Sequence, residues 1–362
     1  MTKKILIATG GTGGHIFPAY SLADYFAKKN FKVKVATDIR GYKFLQEFKD
    51  LNLKIIPSSP LFKKNIFKLA FSISVIIYSI IKSLILLLLE RPSIIFGMGG
   101  YSSFPLCVAA TILRIKFVIY ENNLIIGKAN KYLLPFTNKI FVSYKDLEGV
   151  PKKYNNKIVE IGNIVREKMI NFENYYDTKK FDSIKILVIG GSQGAKVFAE
   201  QLPKVFVKLR EFNNQIKIYQ QCQVNQNNKL SNFYNNMGIN YEVFNFTNNI
   251  LNYYSKANLV ITRSGASVLG ELINVKIPFI SIPLPSSAEN HQYKNAEFYE
   301  KKGCGFLLEE KDIKFKLISL IQSIFKDKLL IQKILSNQRQ YSDKNIFKNL
   351  NKEIEKILNE KN

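Results

Sequence analysis

His15 is the residue in this chain best suited, by type and spacing, to acid–base chemistry. It closes the run Gly10-Gly11-Thr12-Gly13-Gly14-His15, which leaves the apolar stretch Lys4-Ile5-Leu6-Ile7-Ala8. An imidazole in the first turn of a helix, at the mouth of a cleft, is a natural general base because it titrates near neutrality. The competing reading is a helix-capping histidine. Histidine is scarce, with His15 and His291 the two in the chain. A second glycine turn, Gly190-Gly191-Ser192-Gln193-Gly194-Ala195, leaves Ile184-Lys185-Ile186-Leu187-Val188-Ile189. Such a turn offers backbone N–H groups, here with the Ser192 hydroxyl, and the positive end of a helix dipole, which suits a diphosphate.

Other polar residues fall where further strands should end. Gly97-Met98-Gly99-Gly100-Tyr101-Ser102-Ser103 and Glu121-Asn122-Asn123 share the rim of His15; Asn123 can bond a sugar or carbonyl, and Glu121 can orient a catalytic group or cap a helix. Arg166, in Gly162-Asn163-Ile164-Val165-Arg166, can pair with developing phosphate charge. In Thr262-Arg263-Ser264-Gly265-Ala266-Ser267-Val268-Leu269-Gly270-Glu271, a Ser-Gly turn opens a helix that carries Glu271. That carboxylate either accepts both ribose hydroxyls of a nucleotide or faces solvent. Amides such as Gln292, after Glu289-Asn290-His291, suit sugar hydroxyls. The glycines near His15 miss the dinucleotide spacing, although Asp38, ending the second strand, is available as its acidic partner. No Asp-x-Asp pair occurs, so no metal ligand pair for a diphosphate is evident, and neutralisation falls to helix N-termini and Arg166.

The elements that must position these residues alternate in the α/β manner. Strands are expected at 4–8, 32–36, 53–57, 93–97, 116–120, 138–142 and 157–161, and again at 184–189, 216–220, 241–246, 258–262, 278–282 and 305–308. The polar stretch 171–180 reads as a linker. This pattern predicts an α/β chain of two Rossmann-like domains, with parallel sheets facing each other across a cleft, and ligands beyond the carboxyl ends of the strands. The expected division is 1–163, 164–340 and a C-terminal helix, 341–362, that closes the second domain or crosses back onto the first.

Composition narrows the partners. The chain of 362 residues is 46% hydrophobic and therefore globular. Its net charge of +25 is spread over lysines in nearly every expected helix, with no arginine-rich arm or nucleic-acid motif, so nucleic acid is not an expected partner. Cys107, Cys222 and Cys304 form no ligand pattern and read as buried thiols in a reducing compartment. Leu69 to Leu89 is apolar apart from scattered serines, a tyrosine and Lys82, with Lys63, Lys64, Lys68 and Arg91 around it. Its length suits a span, but it sits inside a regular strand–helix alternation, contains a lysine and is followed at once by a strand; a purely buried helix is the competing reading. It reads as a long helix with one core face and one apolar face lying at a membrane surface. The N-terminal apolar run is too short for a signal peptide.

In their order along the chain, GGTGGHIFPA, GMGGYSSFP, ENN, GNIVR, GGSQGA, TRSGASVLGE and ENHQYKNA resemble the MurG family, the undecaprenyldiphospho-muramoylpentapeptide β-N-acetylglucosaminyltransferases. The resemblance runs from the first strand to about residue 300. It implies a GT-B fold, with the lipid acceptor on the first domain and the donor nucleotide on the second. It also implies transfer of GlcNAc from UDP-GlcNAc to the C4 hydroxyl of MurNAc on lipid I, with inversion, giving lipid II for peptidoglycan. By position, the family's donor-binding residues, part of its substrate site, fall on Thr12, Gly13, Gly14, Asn123, Arg166, Ser192, Ala266, Ser267, Val268, Leu269, Gly270, Glu271 and Gln292. Its uracil site falls near Thr247, where isoleucine is more usual, and its base on His15. No cofactor is implied. The basic-rimmed membrane patch falls on 63–91, which implies a peripheral enzyme at the cytoplasmic face of the bacterial plasma membrane, near other cell-wall synthesis proteins. The 69–89 stretch is more hydrophobic than the family pattern. Rival readings are a GT-B enzyme acting on another lipid such as diacylglycerol, a UDP-sugar epimerase, and a nucleic-acid-binding protein.

Overall fold

A computed structural model describes residues 3–11, 13–48, 51–60, 65–172, 183–191, 196–213 and 215–360. The apolar runs of the first half form β1 (Lys4–Ala8), β2 (Lys32–Thr37), β3 (Leu53–Ile55), β4 (Ile94–Gly97), β5 (Phe117–Glu121), β6 (Lys139–Val142) and β7 (Ile158–Glu160). They assemble in the order β3-β2-β1-β4-β5-β6-β7, parallel throughout. Every residue of β4 and β5 is buried, which is why these segments read as continuous apolar runs rather than alternating ones. The connecting helices include α1 (Gly13–Lys28), α2 (Ile39–Leu45), α3 (Ile66–Glu90), α4 (Gly100–Ile112) and α5 (Lys128–Leu133). Leu6, Ile95, Phe117 and Ile140 pack with Leu106, Ala109 and Leu133 as one core on the α4 side of the sheet.

The second half repeats the design with β8 (Ile184–Ile189), β9 (Ile216–Gln221), β10 (Asn240–Phe244), β11 (Leu259–Thr262), β12 (Phe279–Ser281) and β13 (Phe306–Leu307). Their order is β10-β9-β8-β11-β12-β13, again all parallel. In both sheets the strand order reverses beside the first strand, between β1 and β4 and between β8 and β11. At such a switch point the two following loops diverge and open a crevice for a ligand.

The chain divides into Met1–Glu167 with Asp343–Asn362, and Lys168–Ser342. The division thus falls four residues later than position 163, and Arg166 belongs with the first unit. Local bonds explain this. The Tyr120 hydroxyl accepts from Ile164 N at 2.9 Å and donates to Gly162 O at 3.2 Å. Asp343 Oδ1 accepts from Asn163 N at 3.0 Å, and a Cβ at Gly162 (φ +97°) would stand 2.2 Å from that oxygen. The terminal helix Ile346–Asn359 completes the same unit. Phe347 stacks on Tyr25 with centroids 4.3 Å apart, Lys116 Nζ donates to Ile357 O at 2.9 Å, and Ile346, Leu350, Ile354 and Ile357 are buried.

α3 is amphipathic in an inverted sense. Its buried residues are Ser72, Ser79, Ser83 and Leu87, whereas Phe67 is 84% and Leu89 74% exposed. Ser72, Ser79 and Ser83 donate to Lys68 O, Val75 O and Ser79 O one turn back, at 2.7–2.8 Å. The hydroxyls therefore cost no unpaired polar group, and their small size allows close packing on α4. The expected core face exists, but it is lined by serine.

Candidate active site

At the switch point of the first sheet, α1 begins directly after the glycine turn, and His15 is its third residue. Thr9 Oγ1 donates to His15 O at 2.9 Å, and Asn122 Nδ2, from the end of β5, donates to Gly14 O at 2.8 Å. The imidazole rests on the backbone that opens α4. A Cβ at Gly99 would lie 2.9 Å from His15 Cε1 and 3.1 Å from Nδ1; one at Gly100 would lie 3.3 Å from Cδ2. Both glycines also have positive φ, +90° and +73°, so conformation disfavours a side chain at either, and sterics add to this most at Gly99. Thr12 and Ser192 lie outside the described residues.

Asp38 does not wait for a ribose. Its carboxylate is buried and fully engaged: Oδ1 accepts from Gly11 N at 3.2 Å and Gly41 N at 2.8 Å, and Oδ2 from Ser102 Oγ at 2.9 Å and Arg40 Nη2 at 2.9 Å. Burial pushes its pKa up, but the Gly41 and Gly11 N–H groups, Arg40 and Ser102 outweigh that and hold it below the usual carboxylate value. This removes the structural basis for a dinucleotide site. Glu121 has a similar fate. Oε1 accepts from Asn123 N and Nδ2 at 3.1 and 3.0 Å, and Oε2 from Gly127 N and Asn130 Nδ2 at 2.8 and 3.0 Å. Gly127 immediately precedes α5, so the capping reading of Glu121 describes its contacts, which also fix the Asn123 amide. Arg166 is 7% exposed, with its guanidinium 5.8 Å over the Phe17 ring of α1.

At the switch point of the second sheet, Gly190 and Gly191 follow β8, and the helix Ala266–Val275 follows β11. Glu271 is 8% exposed and accepts from the buried Tyr254 hydroxyl at 3.2 Å, so it does not face bulk solvent. Ala266, Leu269 and Gly270 are buried, with Leu269 wholly in the core, while Ser267 and Val268 are half-buried. The first three therefore have only backbone to offer a ligand. Arg263 lies 4.6 Å over the Phe198 ring, donates to Ile282 O and Pro283 O at 3.3 and 3.2 Å, and pairs with Glu310 at 2.5 Å. It thereby ties the loop after β12 to the rim. Leu284 N of that loop donates at 2.9 Å to Gln292 Oε1, on the second residue of the helix His291–Lys301, which fixes the direction of the Gln292 amide nitrogen. Glu289 and Asn290 just before it both have positive φ, a paired strain that sequence alone did not signal. Thr247 Oγ1 accepts from Asn249 N at 3.1 Å, a local turn. Among the described residues, no cluster of three or more His, Cys, Asp or Glu could hold a metal.

Known proteins share this fold. Residues 5–142 match the glycosyltransferase family 28 N-terminal domain, and residues 185–354 its C-terminal domain. The solved structure of Acinetobacter baumannii MurG superposes with a TM-score of 0.78 at 20% identity, over 98% of this chain and 100% of that one, which shows the GT-B fold. The UDP-N-acetylglucosamine–N-acetylmuramyl-(pentapeptide) pyrophosphoryl-undecaprenol N-acetylglucosamine transferase of Rickettsia bellii (strain RML369-C) is 36% identical over 98% of both chains. The protein of the same name from Pelagibacter ubique (strain HTCC1062) is 37% identical over 99% of this chain and 100% of its own. The chain belongs to the family of these N-acetylglucosamine transferases.

Proposed function

We propose that this chain is an inverting glycosyltransferase that moves GlcNAc from UDP-GlcNAc to the C4 hydroxyl of MurNAc on lipid I. One observation carries the reading: the 37% identity to a transferase of that name, with neither chain left uncovered beyond 1% of this one. His15 takes the proton of the acceptor hydroxyl as its oxygen attacks the anomeric carbon, and the bond from that carbon to the UDP oxygen breaks. The first unit holds the acceptor, and from it Thr12, Gly13, Gly14 and Asn123 contribute to binding the donor, Asn123 at the sugar. The second holds the donor. Glu271, oriented by Tyr254, accepts the ribose hydroxyls; the backbone from Ala266 to Gly270 lines the nucleotide; and Gln292 reads the sugar. Thr247 backs the uracil, while Ser192 and Arg166 meet the charge that builds on departing UDP. These partners call for an enzyme at the cytoplasmic face of the plasma membrane, with α3 lying flat in the interface and its serine face turned inward.

The test is purified protein with labelled UDP-GlcNAc and a panel of acceptors. Product and UDP release with lipid I, and none with diacylglycerol, are the expected results. Product with diacylglycerol alone would replace the acceptor assignment, and conversion of UDP-GlcNAc into a different UDP-sugar without any acceptor would favour an epimerase.

A further inference from the structure

We propose that Asp38 is a positioning residue for His15, one buried carboxylate that fixes both backbone segments between which the imidazole is set. The idea rests on the reading of His15 as the base. Asp38 is 3% exposed. Through Oδ1 it holds the N–H of Gly11, in the turn that delivers His15 to the start of α1. Through Oδ2 it holds the hydroxyl of Ser102, the third residue of α4, whose opening glycines carry the imidazole. The two segments touch at this point, for a Cβ at Gly10 would stand 2.4 Å from Ser102 Oγ. Ser58 Oγ donates to the same oxygen at 3.2 Å and lies 3.0 Å from Ser102 Oγ, and Arg40 supplies the counter-charge from an exposed position.

The chemistry requires a carboxylate. Gly11, Gly41, Ser102, Ser58 and Arg40 direct their donors onto two oxygens. An amide would retain one acceptor for Gly11 and Gly41 and would turn a donor toward the Arg40 guanidinium and the two serines. The α4 side would then lose its tether while the glycine turn kept its own. A shift of the α4 side relative to the turn beside a reacting group is enough to slow proton transfer.

The experiment uses the full chain as Asp38→Asn, with His15→Ala and wild type alongside, rates being normalised to folded protein. Expected for Asp38→Asn are a kcat lower by about 10- to 100-fold, an unchanged KM for UDP-GlcNAc, and displaced His15 ring resonances. With two histidines in the chain, His291→Gln assigns those resonances directly. Should Asp38→Asn not fold, Ser102→Ala removes a single donor, and the same displacement of the His15 signals is expected. Unmoved His15 resonances, or a kcat within about twofold of wild type, would overturn the proposal. Full turnover by His15→Ala would instead overturn the base assignment, and the ring resonances would still report on Asp38.

Discussion

At the scale of single residues, contact separates groups of one chemical type into different roles. Asp38 follows the end of β2, Glu121 ends β5, and Glu271 lies inside the helix Ala266–Val275. Asp38 and Glu121 are consumed by backbone and amide donors, whereas Glu271 is held by a tyrosine hydroxyl. Replacing His15 by alanine should lower turnover by about 10²- to 10⁴-fold with UDP affinity nearly intact, as rates and calorimetry would show. Wild-type turnover in that variant would remove it as base. Glu271→Gln should weaken UDP-GlcNAc binding by about tenfold or more, because a charge-assisted bond to ribose is lost. Equal Kd values by titration calorimetry would place the ribose elsewhere. The sequence signalled that His15 and the glycines lie together at a strand end, since that follows from local order. It left Asp38 open, because its partners Gly11, Ser58 and Ser102 converge only through the tertiary fold.

Elements were legible where burial is two-sided. A run such as Phe117-Val118-Ile119-Tyr120 has one stable home, a central parallel strand, and β5 forms there. α3 is the counter-example. A period of apolar residues normally marks the face turned to the core, and here that face is taken by Ser72, Ser79 and Ser83 while the phenylalanines and leucines face outward. Serine can do this because its hydroxyl bonds a carbonyl within its own helix, a compensation no hydropathy pattern displays. Substituting Phe67, Phe71 and Leu88 by serine should cut binding to anionic vesicles by at least about tenfold, since each apolar side chain contributes on the order of 1 kcal/mol or more. Transfer to a water-soluble acceptor analogue should persist. Vesicle sedimentation unaffected by all three changes would show that another surface meets the lipid.

For the whole molecule, the notable arrangement is that the first unit is discontinuous, built from residues up to Glu167 and from Asp343 onward. Leu350, fully buried in the last helix, should therefore report on the first unit alone. Leu350→Ala is expected to cost about 2–5 kcal/mol there, read by hydrogen exchange at β1 and β4, with β8 and β11 unchanged. Loss of protection in both sheets together would mean that the units unfold as one. Sequence order favours a terminal helix that stays with the domain just before it, and the contacts of Tyr25 and Lys116 that draw it elsewhere span more than two hundred residues. The same discontinuity governs biogenesis. The part begun first is finished last, so on the ribosome it waits on the order of ten seconds or more for its closing helix while the intervening unit is made. During that interval the seat for Leu350 and Ile354 is bare, an apolar surface left uncovered until the closing helix is made.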